Sequence, residues 1–306
     1  MKTRLVLAIL AAAALLVTGC ANPDPRISAS QSSWARSDLF GQAATAEYFL
    51  AGVYGVADSA NLPGCGTWCA AAQAMHQAQA TVLTQPDPWG GFTEPTMSVL
   101  PDYGSEAAML ADLQRASSEV LAAAQAGLAG ASAGPEALLW ASLVATANAS
   151  VTFANDQTAA MPALRPGAVV PSQIDVGTSA DAASTALDNA NAVVYVATVG
   201  AAQATTGDAL KASLGHAISQ AKADRTTLQA QLDAAGVTVP APELSYPISA
   251  GVGSDDAVRA SLAPYQSGLA NGIVRLAGTM TGQDAVDIAM KADFTGATLT
   301  WWPGWG

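Results

Sequence analysis

The chain has 306 residues, of which 51% are hydrophobic and only 6% aromatic, and it carries a formal charge of -12. The acidic balance disfavours nucleic acid and anionic headgroups as partners, because both are bound through basic patches. Much of the hydrophobic count is alanine, the best helix former, so the expected fold class is all-α.

In chain order, residues 1–20 read first as an export signal. Lys2 and Arg4 form a short basic region, Leu5 to Val17 is an apolar run, and small residues lead to Cys20. The run falls short of the roughly 20 residues a bilayer-crossing helix takes. Val17-Thr18-Gly19-Cys20 resembles the bacterial lipobox, in which the cysteine thiol receives a diacylglyceryl group and cleavage falls just before it. The expected organisation is therefore a signal peptide over 1–19, then the lipidated Cys20 and a Pro- and Ser-rich tether over 20–36. Two or more acyl chains such as palmitate anchor stably, whereas one is marginal. No later segment reads as a transmembrane span. The expected location is the outer face of the cytoplasmic membrane.

Setting Cys20 aside leaves Cys65 and Cys69, which in an oxidising compartment are expected to form a disulfide. The flanking Gly64 and Gly66 give the backbone freedom to close so short a loop. The spacing is not the Cys-x-x-Cys of redox-active dithiols, so a structural staple is the preferred reading.

Eight helices are expected at about Ser37–Ala60, Thr67–Gln85, Ser105–Ala129, Pro135–Asn155, Ser179–Gln203, Asp208–Ala235, Asp255–Ala277 and Asp284–Thr300. Residues 158–178, with Pro162, Pro166 and Pro171, read as a linker between units at 37–157 and 179–306. The units look duplicated. Leu128 to Gly134 aligns with Leu276 to Gly282, Ser105-Glu106 with Ser254-Asp255, Val53-Tyr54 with Val194-Tyr195, and His76 with His216. Each has short turns between its first and second and its third and fourth helices, with a long Pro-bearing connection between the second and third. Such a crossover lets the second and third helices run parallel, as in ferritin-like bundles.

The second half also resembles a ferritin-like domain-of-unknown-function family of lipoproteins from high-GC Gram-positive bacteria. The resemblance covers about residues 179–302. It rests on Val193-Val194-Tyr195, on His216 through Asp224-Arg225, on the Pro-rich loop reaching Tyr246-Pro247, and on a last helix running into Trp301-Trp302. It implies a four-helix bundle, with the first half a diverged copy, and brings no settled activity. The full expectation is two tandem ferritin-like four-helix bundles after a lipoprotein signal peptide.

Catalytic constellations are sparse. Di-metal carboxylate bundles use Glu-x-x-His pairs, and no Glu here is followed by His three residues on; Glu47 could project inward but lacks such a partner. No metal site and no cofactor are expected. His76 and His216 read as polar residues at the bundle margin. Gly130-Ala131-Ser132-Ala133-Gly134 matches the Gly-x-Ser-x-Gly nucleophile elbow, but that motif needs a preceding strand, and helices flank this one. Trp301, Trp302 and Trp305 form a candidate partner surface, the competing reading being a tail folded over the bundle end. The functional expectation is a non-catalytic cell-envelope binding or scaffold module, attached to the membrane through Cys20, with an unidentified envelope protein as partner. The alternatives are a small-molecule or lipid-binding protein and, behind it, a divergent metal-dependent ferritin-like oxidoreductase.

Overall fold

A computed structural model describes residues 38–84, 100–167, 175–203 and 206–305. The expected signal, Cys20 and tether lie outside the described residues. Within them the chain is all-α apart from two three-residue strands. The elements are α1 (Asp38–Ser59), α2 (Trp68–Leu83), α3 (Glu106–Gly130), α4 (Pro135–Asn155), β1 (Ala163–Arg165), α5 (Ser179–Ala201), α6 (Asp208–Ala234), α7 (Asp255–Gly278), α8 (Gly282–Ala289) and β2 (Thr298–Thr300).

Local chemistry explains where several helices begin. Ser105 and Ser254 each accept a hydrogen bond from the backbone N–H three residues on, capping α3 and α7. Thr178 and Asp181 form a reciprocal capping box at α5. Pro135 opens α4, where its missing N–H costs nothing.

Contacts fix the directions in the first unit. Tyr48 meets Thr81 while Gly55 meets Gln73, so α1 and α2 are antiparallel. Gln114 reaches Ala154 while Gly127 lies against Trp140, so α3 and α4 are antiparallel. His76 bonds Ser150 and Gln79 bonds Thr146, so α2 and α4 are antiparallel too. It follows that α2 and α3 run parallel, as a long crossover between them allows.

The same pairings recur in both halves: first helix with second, first with third, third with fourth. Between the halves, α4 packs on α7 and α8 packs on α3 and α4. That reciprocal pattern, fourth helix of each unit on third helix of the other, is what an approximate two-fold relation between similar units produces. The two turns that align in sequence meet at this junction, where Gly134 N–H donates to the Gly278 carbonyl at 2.8 Å.

α4 lies at the centre of this arrangement. Its length and composition would suit a bilayer-crossing helix, contrary to the expectation that no later segment would read so. Here its residues are mostly buried in the protein, between α3, α7 and α8 and beneath the C-terminal tail.

Two departures from expectation matter. α8 has 8 residues, where a helix over about Asp284–Thr300 was expected. Met290 and Lys291 turn, and Asp293 takes the Thr295 N–H in a side-chain-closed turn before β2. The segment read as a linker carries β1, which pairs in parallel with β2, Ala163 opposite Thr298 and Arg165 opposite Thr300. The last residues of the chain are thereby drawn across to the first unit.

Candidate functional site

The chemistry-bearing residues of the first unit gather at its centre. One turn of α1 places Glu47 inward, the middle of α2 supplies His76, and α4 supplies Ser150; Glu47 is 1% exposed and His76 0%. The His76 ring joins the other two, Nδ1 to Glu47 Oε2 at 2.5 Å and Nε2 to Ser150 Oγ at 2.8 Å. Tyr54 stacks on the imidazole with ring centroids 5.6 Å apart. Burial pushes the Tyr54 hydroxyl up to about 12, against the opposing influence of Ser150, Trp68 and Ser117 beside it. One turn further along α2, Gln79 Nε2 donates to Thr146 Oγ1 and to the Trp301 carbonyl.

Ser150, His76 and Glu47 stand in the order nucleophile, base and orienting carboxylate. The surroundings do not let them act as one. Ser150 sits within α4, where helical hydrogen bonds occupy the backbone N–H groups an oxyanion would need. All three residues are sealed from solvent. What the arrangement does is tie α1, α2 and α4 together through polar contacts that only one register satisfies. His76 is thus a core residue, correcting its expected place at the bundle margin. The reason lies in partners hidden by sequence distance: Ser150 is 74 positions away.

His216 is exposed on α6, so the two aligned histidines do not share an environment. Nor do Tyr54, fully buried, and Tyr195, half-buried. Among the described residues no group of three or more His, Cys, Asp or Glu side chains is placed to hold a metal ion. The Gly130–Gly134 stretch is a turn between two helices, without the strand a nucleophile elbow requires.

Cys65 and Cys69 are joined in a disulfide with Cα atoms 5.0 Å apart, both buried at the start of α2. Gly64 and Gly66 adopt φ of +83° and +45°, the left-handed turn that brings the two cysteines together.

The tryptophan tail turns inward. Trp302 is 4% exposed, and Trp301 and Trp305 are half-buried. Trp305 Nε1 donates to Ser142 Oγ at 2.9 Å, Ser142 Oγ donates to the Pro303 carbonyl, and Gly304 N–H donates to Asn271 Oδ1. The three rings named as a candidate partner surface therefore lock the C-terminus onto α4 and α7. The parallel β1–β2 pairing directs them there.

Two of the clefts among the described residues border the second unit. One, of about 300 Å³, lies where α4, the segment before β1, α6 and the turn after α8 meet; Asn148, Met161, Gln220, Met290, Asp293 and Phe294 are among its walls. The other, of about 490 Å³, follows the seam of α5 and α7 beside Asp181, Asn189, Asn271 and Arg275. Arg275 already donates to the carbonyls of Val176 and Asp175, and Asn271 is bonded at both ends of its amide.

Asp224, on α6, entered the sequence reading only through the family resemblance and not as a candidate site residue. It is 4% exposed, and burial pushes its carboxyl up to about 6, with Lys291 pulling the other way and Asp293 adding to the rise. The only available signal was an acid on the Leu214–Ala221–Leu228 face of α6, the face that is buried. No family model matches this chain, and no curated protein or solved structure matches it.

Proposed function

We propose that the protein is a lipid-anchored, extracytoplasmic module, held at the outer face of the cytoplasmic membrane through Cys20 and acting by binding a cell-envelope partner rather than by catalysis. The observation that carries this reading is Val17-Thr18-Gly19-Cys20 behind a basic start and a short apolar run. The Cys65–Cys69 disulfide agrees with it, since such bonds persist in oxidising compartments. The sealing of Ser150, His76 and Glu47 favours binding over hydrolysis.

The fold belonging to this reading is a tandem pair of ferritin-like bundles, the second with its fourth helix cut short. The repeated helix pairings support it. A divergent metal-dependent oxidoreductase has the least support, because Glu47 and His76 meet at the first bundle's centre without a third candidate ligand among the described residues.

Labelling intact cells with an alkyne analogue of palmitate tests the anchor. The label and membrane association are expected in the native chain and lost in Cys20→Ala. A labelled Cys20→Ala protein, or an unlabelled native one, would sink the reading. Crosslinking on the same cells should then trap a defined protein neighbour. The second reading, a small-molecule or lipid ligand, is favoured by the 300 Å³ cleft, which lies in the usual size range of ligand sites.

A further inference from the structure

The 300 Å³ cleft has a neighbour. Gln220, Asp293 and Thr295 line it and also line an adjoining, smaller cleft of about 30 Å³. Asp224 lines that smaller cleft. One of its oxygens accepts from Gln220 Nε2 at 3.3 Å, and the other has no side-chain or backbone partner among the described residues and opens onto the cleft. A carboxylate held against a largely buried helix face favours a cation beside it, because burial penalises the unpaired charge.

The nearby cation does not fill this role. Lys291 is exposed and its ammonium donates to Thr227 Oγ1. Asp293, at the mouth, takes the Thr295 N–H with one oxygen. Two carboxylates against one ammonium leave this end of the joined cleft net negative. The larger cleft has mixed walls, Met161, Met290 and Phe294 offering soft apolar surface beside Asn148 and Lys291.

We infer that this joined cleft binds a small organic cation, an amine whose charged head enters the smaller cleft beside Asp224 and whose aliphatic part lies along Met161, Met290 and Phe294. The sizes agree: about 30 Å³ of space exceeds the ~10–15 Å³ that a water-sized sphere takes and so admits an ammonium head. The inference deepens the small-molecule reading and does not depend on the membrane anchor.

The test uses the full chain as the cell processes it, labelled with ¹³C-methyl methionine, and n-butylammonium as probe. Saturable shifts are expected at the Met161 and Met290 methyls, with Met75 and Met109 in the first unit unmoved. Asp224→Asn should weaken binding at least tenfold, and Asp293→Asn, an exposed position that puts folding at little risk, severalfold. Butyrate and potassium at matched concentration should leave both methyls in place. The inference fails if the amine moves neither methyl or if both asparagine variants bind as tightly as the native chain. It fails equally if potassium reproduces the shifts, which marks an inorganic ion site, or if butyrate does, which marks an apolar groove indifferent to charge. Loss of membrane labelling without loss of these shifts would overturn the anchor and leave the cleft standing.

Discussion

The two halves pair their helices alike and fill their interiors differently. At the centre of the first, Glu47, His76, Gln79, Ser117, Thr146 and Ser150 are buried together. The corresponding space in the second is closed by Ala183, Ala186, Ala190, Val193, Leu214 and Leu228, with Asn191, Asp224 and Ser261 as its buried polar groups on the helices. Small residues let α5 and α7 approach closely, as at Gly272 against Ala186. The topology of such a unit follows from helix lengths and the uneven loops. Whether its centre is polar is a separate matter, set position by position.

The strongest way to break the contrast is to strip the polar centre from one side only. His76→Leu leaves Glu47 buried without its partner, and loss of one member of a buried pair costs about 3–5 kcal/mol. The double variant Glu47→Leu/His76→Leu turns the first centre into one resembling the second, and it should recover most of that loss. Urea titration of native, single and double chains measures both. A double variant no more stable than the single would mean that the polar centre specifies packing the apolar residues cannot replace.

Smaller effects sharpen how the halves are joined. Trp302→Ala removes a buried ring from the tail, with an expected cost of about 3 kcal/mol, the lower end for large aromatics because the chain end can relax. Gly278→Ala acts at the meeting of the two aligned turns. A Cβ there would lie 2.8 Å from Leu138 Cβ and 2.9 Å from its Cα, so backbone must move, at about 2 kcal/mol. Both are read from thermal melts. Gly130→Ala, the aligned position in the first half, faces open space and should cost less than Gly278→Ala.

Helix positions were legible in the sequence wherever a local device marks them: Ser105, Pro135 and Ser254 open their helices as expected, and the helix expected from Ser179 begins there, capped by Thr178. The disulfide was legible for the same reason, its partners being four residues apart. What sequence could not give depended on distant contacts. Residues 290–300 carry helix-compatible Ala and Leu, yet the Asp293 turn and pairing with residues 163–165 end the helix at Ala289. The tail tryptophans have the composition of a surface patch, and only the β1–β2 pairing sends them inward. Sequence alignment placed His76 and His216 together, but burial depends on which helices close over them.

The finest probe of the contrast is Asp224, the second half's own buried acid. Its folded carboxyl is raised from 3.8 to about 6, so between those values the native state holds more protons than the unfolded chain. Stability contributed by the bound proton is therefore present at low pH and falls as pH rises from about 4 to 6. Solvent in the cleft screens the charge, which trims the effect to about 1–2 kcal/mol. Asp224→Asn removes this titration, and it should be more stable than the native chain above pH 6 by that amount, the gap narrowing towards pH 4. Melts of both chains at pH 4, 5, 6 and 7.5, without added amine, give the difference free of the other carboxylates. A constant gap across that range would show that the Asp224 carboxyl titrates normally, and the second centre would then be as electrostatically quiet as its alanines suggest.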